Sequence, residues 1–251
     1  MAKFWLGTSG FSYRDWIGRF YPEDLPSTQW LEYYSQHFQA LELNNTFYRL
    51  PREKTFINWR RRTPDSFVFA VKAHQRLTHW KRLEINQELW SWFWSRVCLL
   101  EDKLAVILFQ LPPSMKQDLN RLTSFLTQFK PPVRLAFEFR HSSWFNSATY
   151  QVLKSFNCAL VFHDAQRWPA PPLEIMADFV YIRFHGVEAL YNYYYSPEQL
   201  DNWKLKIENW LNQGLDVFAY FNNDVDGYAV KNAQELLELV ENAKCKNQNP
   251  K

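Results

Sequence analysis

The sequence of 251 residues contains few glycines and few cysteines, and both shortages exclude classes of protein. Only 6 glycines are present, which disfavours nucleotide-binding folds whose phosphate loop needs a glycine-rich turn. The three cysteines, Cys98, Cys158 and Cys245, lie far apart and form no CxxC pair or metal-ligand spacing. We therefore expect no structural disulfide and a reducing compartment.

The chain also lacks a long apolar run and a strong excess of either charge. Its longest apolar run, residues 104–109, is far too short to span a bilayer. The balance of 29 Lys and Arg against 26 Asp and Glu gives +3, too small a bias to indicate a nucleic-acid or membrane-surface protein. Residues 1–5 show no signal-peptide pattern. We expect a cytoplasmic protein without a membrane partner, and composition leaves the oligomeric state open.

Strand-like and helix-like patterns alternate along the whole chain, which is typical of parallel βαβ units. The strand-like runs are residues 4–9, 40–46, 67–73, 104–111, 134–141, 159–164, 179–186 and 217–223. The proline-rich segment 168–172 replaces the helix expected after the sixth run, because proline lacks an amide donor. These patterns predict an α/β fold, a single-domain TIM-type (β/α)8 barrel over residues 1–245, followed by a disordered tail over 246–251.

Polar and charged residues stand at the C-terminal ends of these runs. In such a barrel the strand C-termini converge on one face, where active sites lie. Strand periodicity places Ala136, Glu138 and Arg140 on one face, opposite the apolar residues between them, and it does the same for Arg183 and His185. We therefore expect these charges to point into the upper layer of the barrel.

The residue types at the strand ends predict acid–base chemistry on an anionic molecule. Lys72, Arg140 and Arg183 suit a phosphate or carboxylate group. The predicted catalytic residues are Glu138, His185 (as a proton shuttle) and Asp164. The predicted substrate-binding residues are Glu42, Asn44, Lys72, Gln110, Arg140, Arg183, Asn223 and the loop residues Tyr13, Trp16, Tyr48 and Trp144. A set of ion pairs that only neutralise each other, and aromatic rings that only pack the rim, are the structural alternatives.

A metal site is not predicted. Glu138, His163, Asp164 and His185 are ligand types, but the cation Arg183 lies two residues before His185 on the same face and opposes a divalent ion. No phosphate loop, serine nucleophile elbow or HExxH motif is present, and we predict no cofactor.

Ordered motifs along almost the whole chain resemble one family. They are residues 7–10 (GTSG), 42–48 (ELNNTFY), 69–73 (FAVKA), 109–113 (FQLPP), 138–141 (EFRH), 183–186 (RFHG) and 220–223 (YFNN). The chain is identified by them as similar to the YecE-like proteins, known as domain of unknown function 72. The resemblance implies a TIM-type barrel and a site, but no particular reaction. Phe11 departs from the tryptophan that is usual in the family.

Three functions remain open at this point. The first is an enzyme (hydrolase, lyase or isomerase) that binds a small anionic molecule at the strand C-termini. The second is a nucleic-acid-binding protein, such as an apurinic-endonuclease-like phosphodiesterase, which the near-neutral charge and the missing metal pattern disfavour. The third is a ligand-binding protein without catalysis.

Overall fold

The computed structural model is a closed barrel of eight parallel strands in sequential order, β1 to β8, with β8 paired to β1. The strands are β1 Phe4–Ser9, β2 Ala40–Leu43, β3 Val68–Lys72, β4 Leu104–Gln110, β5 Arg134–Glu138, β6 Cys158–His163, β7 Phe179–Phe184 and β8 Asp216–Phe221. The structure describes the backbone of residues 2–248 and the side chains of residues 2–242. The predicted single-domain (β/α)8 barrel is confirmed.

Seven α-helices surround the barrel in this described part of the chain. They are α1 Trp30–His37, α2 Glu53–Arg61, α3 Gln87–Val97, α4 Leu119–Gln128, α5 Ser147–Ser155, α6 Pro197–Asn212 and α7 Tyr228–Gln248. The connection from β6 to β7 contains no helix, as its prolines predict. The backbone of α7 continues to Gln248, and residues 249–251 of the predicted tail lie outside the described residues. No described helix combines the length and the apolar character needed to cross a bilayer.

The apolar residues form two separate cores, one on each face of the sheet. Leu135, Phe137 and Phe139 pack outward under the helices. The inward positions of the lower barrel hold small and branched residues together with aromatic rings, for example Ala136, Val161 and Tyr181. This alternation confirms the predicted facing of strands five and seven.

Seven of the eight strands end one to three residues earlier than their apolar patterns predict, and three of these ends bear on the site. β2 ends at Leu43, β5 at Glu138 and β7 at Phe184. Asn44, Arg140 and His185 therefore lie in the first residues of the following loops, where the backbone turns away from its neighbours. Their side chains are consequently positioned by loop packing as well as by the pleat of the sheet.

Candidate active site

The upper layer of the barrel interior is a buried polar cluster at the C-terminal ends of the strands. Register pairs Ser9 with Glu42, Gln110 with Glu138 and His163 with Arg183, so these side chains are neighbours around the barrel. The cluster consists of Ser9, Glu42, Lys72, Gln110, Glu138, His163, Arg183 and His185, all of which are buried. Six of the fourteen site residues predicted from the sequence belong to this cluster, namely Glu42, Lys72, Gln110, Glu138, Arg183 and His185.

Arg183 lies at the centre of this cluster, between two carboxylates. Its Nε donates to Glu42 Oε2 at 3.0 Å, and its Nη2 donates to Glu42 Oε1 at 2.7 Å. Its Nη1 donates to Glu138 Oε2 at 2.6 Å. The remaining contacts are with Ser9 Oγ at 3.4 Å and His185 Nε2 at 3.3 Å. A guanidinium has five N–H groups, and these contacts occupy them, so Arg183 has no free edge for the anion that the sequence led us to expect there.

Glu42 is held in the ionised form by this arrangement. Its carboxylate also accepts hydrogen bonds from Ser9 Oγ and, at 2.7 Å, from Tyr181 OH. Burial opposes ionisation, but Arg183 and these hydrogen bonds outweigh it and lower the pKa of Glu42 below its usual value. Glu42 is therefore a charged anchor for Arg183.

Glu138 bridges the two arginines. Its Oε1 accepts from Arg140 Nε at 2.7 Å, while its Oε2 accepts from Arg183. Burial alone would raise the pKa of Glu138, but Arg140 and Arg183 together hold it well below the usual value. Glu138 is therefore ionised at neutral pH and cannot begin a reaction as a general acid.

Arg140 is the more accessible of the two arginines, and Trp168 covers one face of it. The guanidinium carbon lies 3.5 Å from the centre of the indole ring, a stacked cation–π contact. Among the described side chains, Arg140 donates a hydrogen bond only through Nε, and its side chain retains 11% exposure. Its two terminal amino groups are therefore available to an anion entering the mouth of the barrel.

Lys72 is the remaining cation of the cluster. The residue is 6% exposed, and its Nζ keeps contact with solvent at the mouth of the barrel. Its Nζ takes part in no hydrogen bond or ion pair among the described side chains and lies 4.2 Å from the centre of the Phe47 ring. Burial and Arg183 lower the pKa of Lys72 from 10.5 to about 7.

His185 is fully buried and neutral. Its Nε2 lies 3.3 Å from Arg183 Nη1, which is always a donor, and its Nδ1 lies 2.9 Å from the side-chain amide of Asn222. Burial and Arg183 lower the pKa of His185 to about 3. Because both ring nitrogens face protein groups, neither is free to exchange a proton with a ligand, and this geometry does not support the predicted shuttle role.

Asp164 supports the loop after β7. Its Oδ1 accepts from the His185 backbone N–H at 2.9 Å, and its Oδ2 accepts from Tyr195 OH. Burial raises the pKa of Asp164 above its usual value. Both carboxylate oxygens thus hold protein groups in place, which gives Asp164 a positioning role.

Two further histidines, which the sequence did not single out as acid–base groups, lie in or beside the cluster. Neither ring nitrogen of His163 has a hydrogen-bond partner among the described residues, although the residue is only 5% exposed. His79 is half-buried, and its Nε2 lies 3.5 Å from Gln110 Nε2. Burial and Lys72 lower the pKa of His79 to about 4. The sequence feature that could have identified His163 as a site residue is its place two residues after Val161, which puts both side chains on the inward face of β6.

The predicted aromatic residues of the rim divide into two groups. Trp16 and Trp144 are fully buried, and their indole N–H groups donate to the carbonyls of Asp224 at 3.0 Å and Met115 at 2.8 Å. A ligand cannot stack on these rings without displacing protein. Tyr48 is 69% exposed.

Tyr13 and the two asparagines make loop contacts. The hydroxyl of Tyr13 donates to the Ser9 carbonyl at 2.6 Å. Asn223 Nδ2 donates to the Tyr193 carbonyl at 2.7 Å. The side-chain oxygens of Asn44 and Asn223 are buried and form no hydrogen bond within the described part of the chain.

Asp224, after β8, is a further titratable residue that sequence reasoning missed. Its Oδ1 is buried without a hydrogen-bond partner, and burial raises the pKa of the carboxyl from 3.8 to about 8. The signal in the sequence was its place directly after Asn222 and Asn223. It carries a proton at neutral pH.

The opposite end of the barrel contains an open cleft of about 890 Å³. Its lining includes Trp5, Phe218 and Arg134, and Arg134 is paired with Asp216 at 2.8 Å. None of the predicted site residues lies there. In barrels of this kind the N-terminal face serves stability, so we place the candidate site at the charged end. Among the described residues, no group of three His, Cys, Asp or Glu side chains is arranged to hold a metal ion.

The fold and the charged cluster define a (β/α)8 barrel with a polar site at the strand C-termini. The chain belongs to the family described as "Protein of unknown function DUF72", whose profile matches residues 5–251. It is 30% identical to the UPF0759 protein YunF of Bacillus subtilis, with 94% of both chains covered. It is also 30% identical to the UPF0759 protein YecE of Escherichia coli, over 46% of this chain and 43% of that protein. The resemblance seen in the sequence motifs is confirmed.

Solved structures agree on the fold. The crystal structure of a DUF72 family protein from Thermotoga maritima matches with a TM-score of 0.84 and 32% identity, covering 95% of this chain and 99% of that one. A DUF72 family protein from Enterococcus faecalis matches with a TM-score of 0.82 at 20% identity, covering 95% of each chain, and supports the fold alone.

Proposed function

We propose that this protein is an enzyme that binds a small anionic molecule at the C-terminal mouth of the barrel and acts on it by acid–base chemistry. The anionic group would be a phosphate or a carboxylate. The reaction would be a hydrolysis, an elimination or an isomerisation, since each can proceed with proton donors and acceptors of the kinds found here.

The charge balance of the buried cluster carries this proposal. Glu42 and Glu138 are ionised, and Arg140 and Arg183 compensate their charges through ion pairs of 2.6 to 2.7 Å. Lys72 adds a third cation, which forms no ion pair with a described side chain. Its ammonium reaches solvent at the mouth, so an anion that enters the mouth would find a partner there and would favour the protonated form of the lysine.

The free hydrogen-bonding atoms indicate how such an anion would be held. The terminal amino groups of Arg140 present the planar edge that binds phosphate or carboxylate in a bidentate manner. Lys72 contributes charge from the neighbouring side of the mouth. His163 and His79 offer uncharged ring nitrogens, and Glu138 offers an ionised carboxylate whose role is electrostatic.

Thermal denaturation with added phosphate or sulfate tests the binding half of the proposal. Ligand that binds only the folded state raises the melting temperature in proportion to RT ln(1 + [L]/Kd). We expect phosphate to raise the melting temperature of the wild type and of Lys154→Met, whose lysine is exposed on α5. Lys72→Met should lose most of this rise. An equal rise in all three proteins would refute the site.

Turnover decides between an enzyme and a binding protein. Small phosphorylated and carboxylated compounds that stabilise the wild type should be incubated with it, and the products should be identified by mass spectrometry. If no stabilising compound is converted, the protein is a binder without catalysis. If the protein binds DNA and the affinity falls steeply as the salt concentration rises, the nucleic-acid alternative is favoured instead.

A further inference from the structure

Lys72 has a fixed backbone, and its ammonium forms no hydrogen bond or ion pair with the described side chains. Its backbone belongs to the end of β3, and its carbonyl accepts a hydrogen bond from Thr46 Oγ1 at 2.8 Å. The following amide, that of Ala73, donates to the Leu108 carbonyl on β4 at 2.8 Å. The side chain therefore extends from a fixed point of the barrel towards the mouth.

A second buried lysine shows what a structural lysine looks like in this molecule. Lys103 is 5% exposed, almost the same as Lys72. Its Nζ donates to the carbonyls of Arg60 and Thr63, both at 2.7 Å, and lies 3.3 Å from Thr63 Oγ1. Lys103 thus has the hydrogen bonds that a buried ammonium needs. Lys72 forms none with the described side chains; its ammonium lies over the Phe47 ring and reaches solvent at the mouth, where a ligand can contact it.

The surroundings of Lys72 favour its neutral form. The charged groups that act on it are Arg183 on β7, Glu138 and Arg140 at the end of β5, and Glu42 on β2. Arginine stays protonated in proteins, so the neighbouring lysine is the group that loses its proton. A pKa of about 7 leaves a large fraction of the amine neutral at physiological pH. A neutral amine on a desolvated lysine beside another cation is a nucleophile for carbonyl carbons.

We infer that Lys72 forms an imine with the carbonyl group of the small anionic molecule, which makes the substrate a 2-oxo acid or a phosphorylated aldehyde or ketone. This inference rests on the proposed function, because the anion held by Arg140 brings the carbonyl to the amine. Nζ forms a bond to the carbonyl carbon while the carbonyl oxygen takes up a proton, which gives a carbinolamine. Loss of that hydroxyl with a further proton releases water and leaves the C=N bond. The step needs no oxidant or reductant, and His79 stands in the same mouth as a neutral base for the proton that leaves the nitrogen.

Reductive trapping on the wild-type protein tests the inference. The protein would be incubated at pH 7 with pyruvate or glyoxylate and then reduced with sodium cyanoborohydride, and peptide mass spectrometry would locate the adduct. We expect about one adduct per chain on Lys72, formed more than about ten times faster than on the exposed Lys154, because a pKa of about 7 leaves about half of the Lys72 amine neutral at pH 7, against less than about 0.1% for an ordinary lysine. The buried Lys103 serves as the internal control and should stay unlabelled.

Two variants separate this inference from the proposed function. Lys72→Arg keeps the positive charge, so it should retain the phosphate-induced rise in melting temperature and lose the adduct. Lys72→Met should lose both. Phosphate that stabilises the wild type while Lys72 forms no more adduct than Lys154 would overturn the imine and leave anion binding intact. Absence of both effects would overturn the proposed function as well. The comparison of adducts on Lys72, Lys103 and Lys154 in the wild-type protein tests the imine even if a variant fails to fold.

Discussion

The change Glu138→Gln tests whether the buried cluster is held together by charge. The substitution keeps the shape of the side chain but replaces one carboxylate oxygen with an amino group. In the native protein Oε1 accepts from Arg140 at 2.7 Å and Oε2 accepts from Arg183 at 2.6 Å. Glutamine has one acceptor oxygen in its side chain. One arginine therefore keeps its hydrogen bond, and the other faces an N–H donor.

The expected loss of stability follows from what each arginine retains. Removing one partner of a buried ion pair destabilises a protein by about 3–5 kcal/mol. Arg183 still has both oxygens of Glu42, and Arg140 still stacks on Trp168 with partial access to water. We therefore expect the lower end of the range, about 3 kcal/mol.

Urea denaturation at pH 7 followed by circular dichroism measures this loss. With a slope of about 3 kcal/mol per molar urea, the midpoint should fall by about 1 M. Glu241→Gln, an exposed change on α7, is the matched control and should alter stability by less than about 0.5 kcal/mol. If Glu138→Gln unfolds at the same urea concentration as the control, the charge network does not stabilise the fold and our reasoning about it is wrong.

Three further predictions concern the same region. The difference in stability between the wild type and Glu138→Gln should shrink as pH falls below 4.5, because the folded pKa of Glu138 lies well below that value and its contribution is lost on protonation. Urea melts of both proteins between pH 3 and 6 measure this difference, and a difference that stays constant over this range would show that the prediction is wrong. The stability of the wild type relative to Lys72→Met should rise by about 1.4 kcal/mol per pH unit between pH 8 and 10, since in this range Lys72 binds a proton in the unfolded state but not in the folded state. A stability difference that does not change with pH would count against a lowered pKa of Lys72. Trp144→Phe should lower stability by about 1–3 kcal/mol by leaving the buried Met115 carbonyl unpaired, while phosphate binding stays unchanged. Weaker phosphate binding at equal stability would instead support Trp144 as a substrate-binding residue.

The sequence predicted the architecture because the relevant signals are local. Alternation in residues 134–140 correctly separated the outward Phe137 from the inward Glu138. The Ser196–Pro197 pair is another local signal, because serine followed by proline is typical of a helix start; α6 begins there, and Ser196 and Gln199 form a capping box. Such features depend on neighbours a few residues apart, which are visible in the chain itself.

Partner choice within the site could not be predicted in the same way. Arg183 was expected to hold an anion, but Glu42 and Glu138 occupy it from strands that lie far away in sequence. Nothing in the spacing indicates which of three cations remains unpaired. Trp168 was also missed, because the proline-rich connection that places it on Arg140 has no periodic pattern.

The cluster at the mouth contains more polarity than the stability of the barrel requires. Barrel interiors of this kind are usually filled with branched apolar side chains, as the lower layer here is by Val106 and Val161. Replacement of buried ion pairs by apolar residues is often neutral or stabilising. The network of two arginines and two carboxylates does not account for the ammonium of Lys72 or for the ring nitrogens of His163, which form no hydrogen bond with the described residues. Under the proposed function, an anion bound at the mouth would supply partners for these groups.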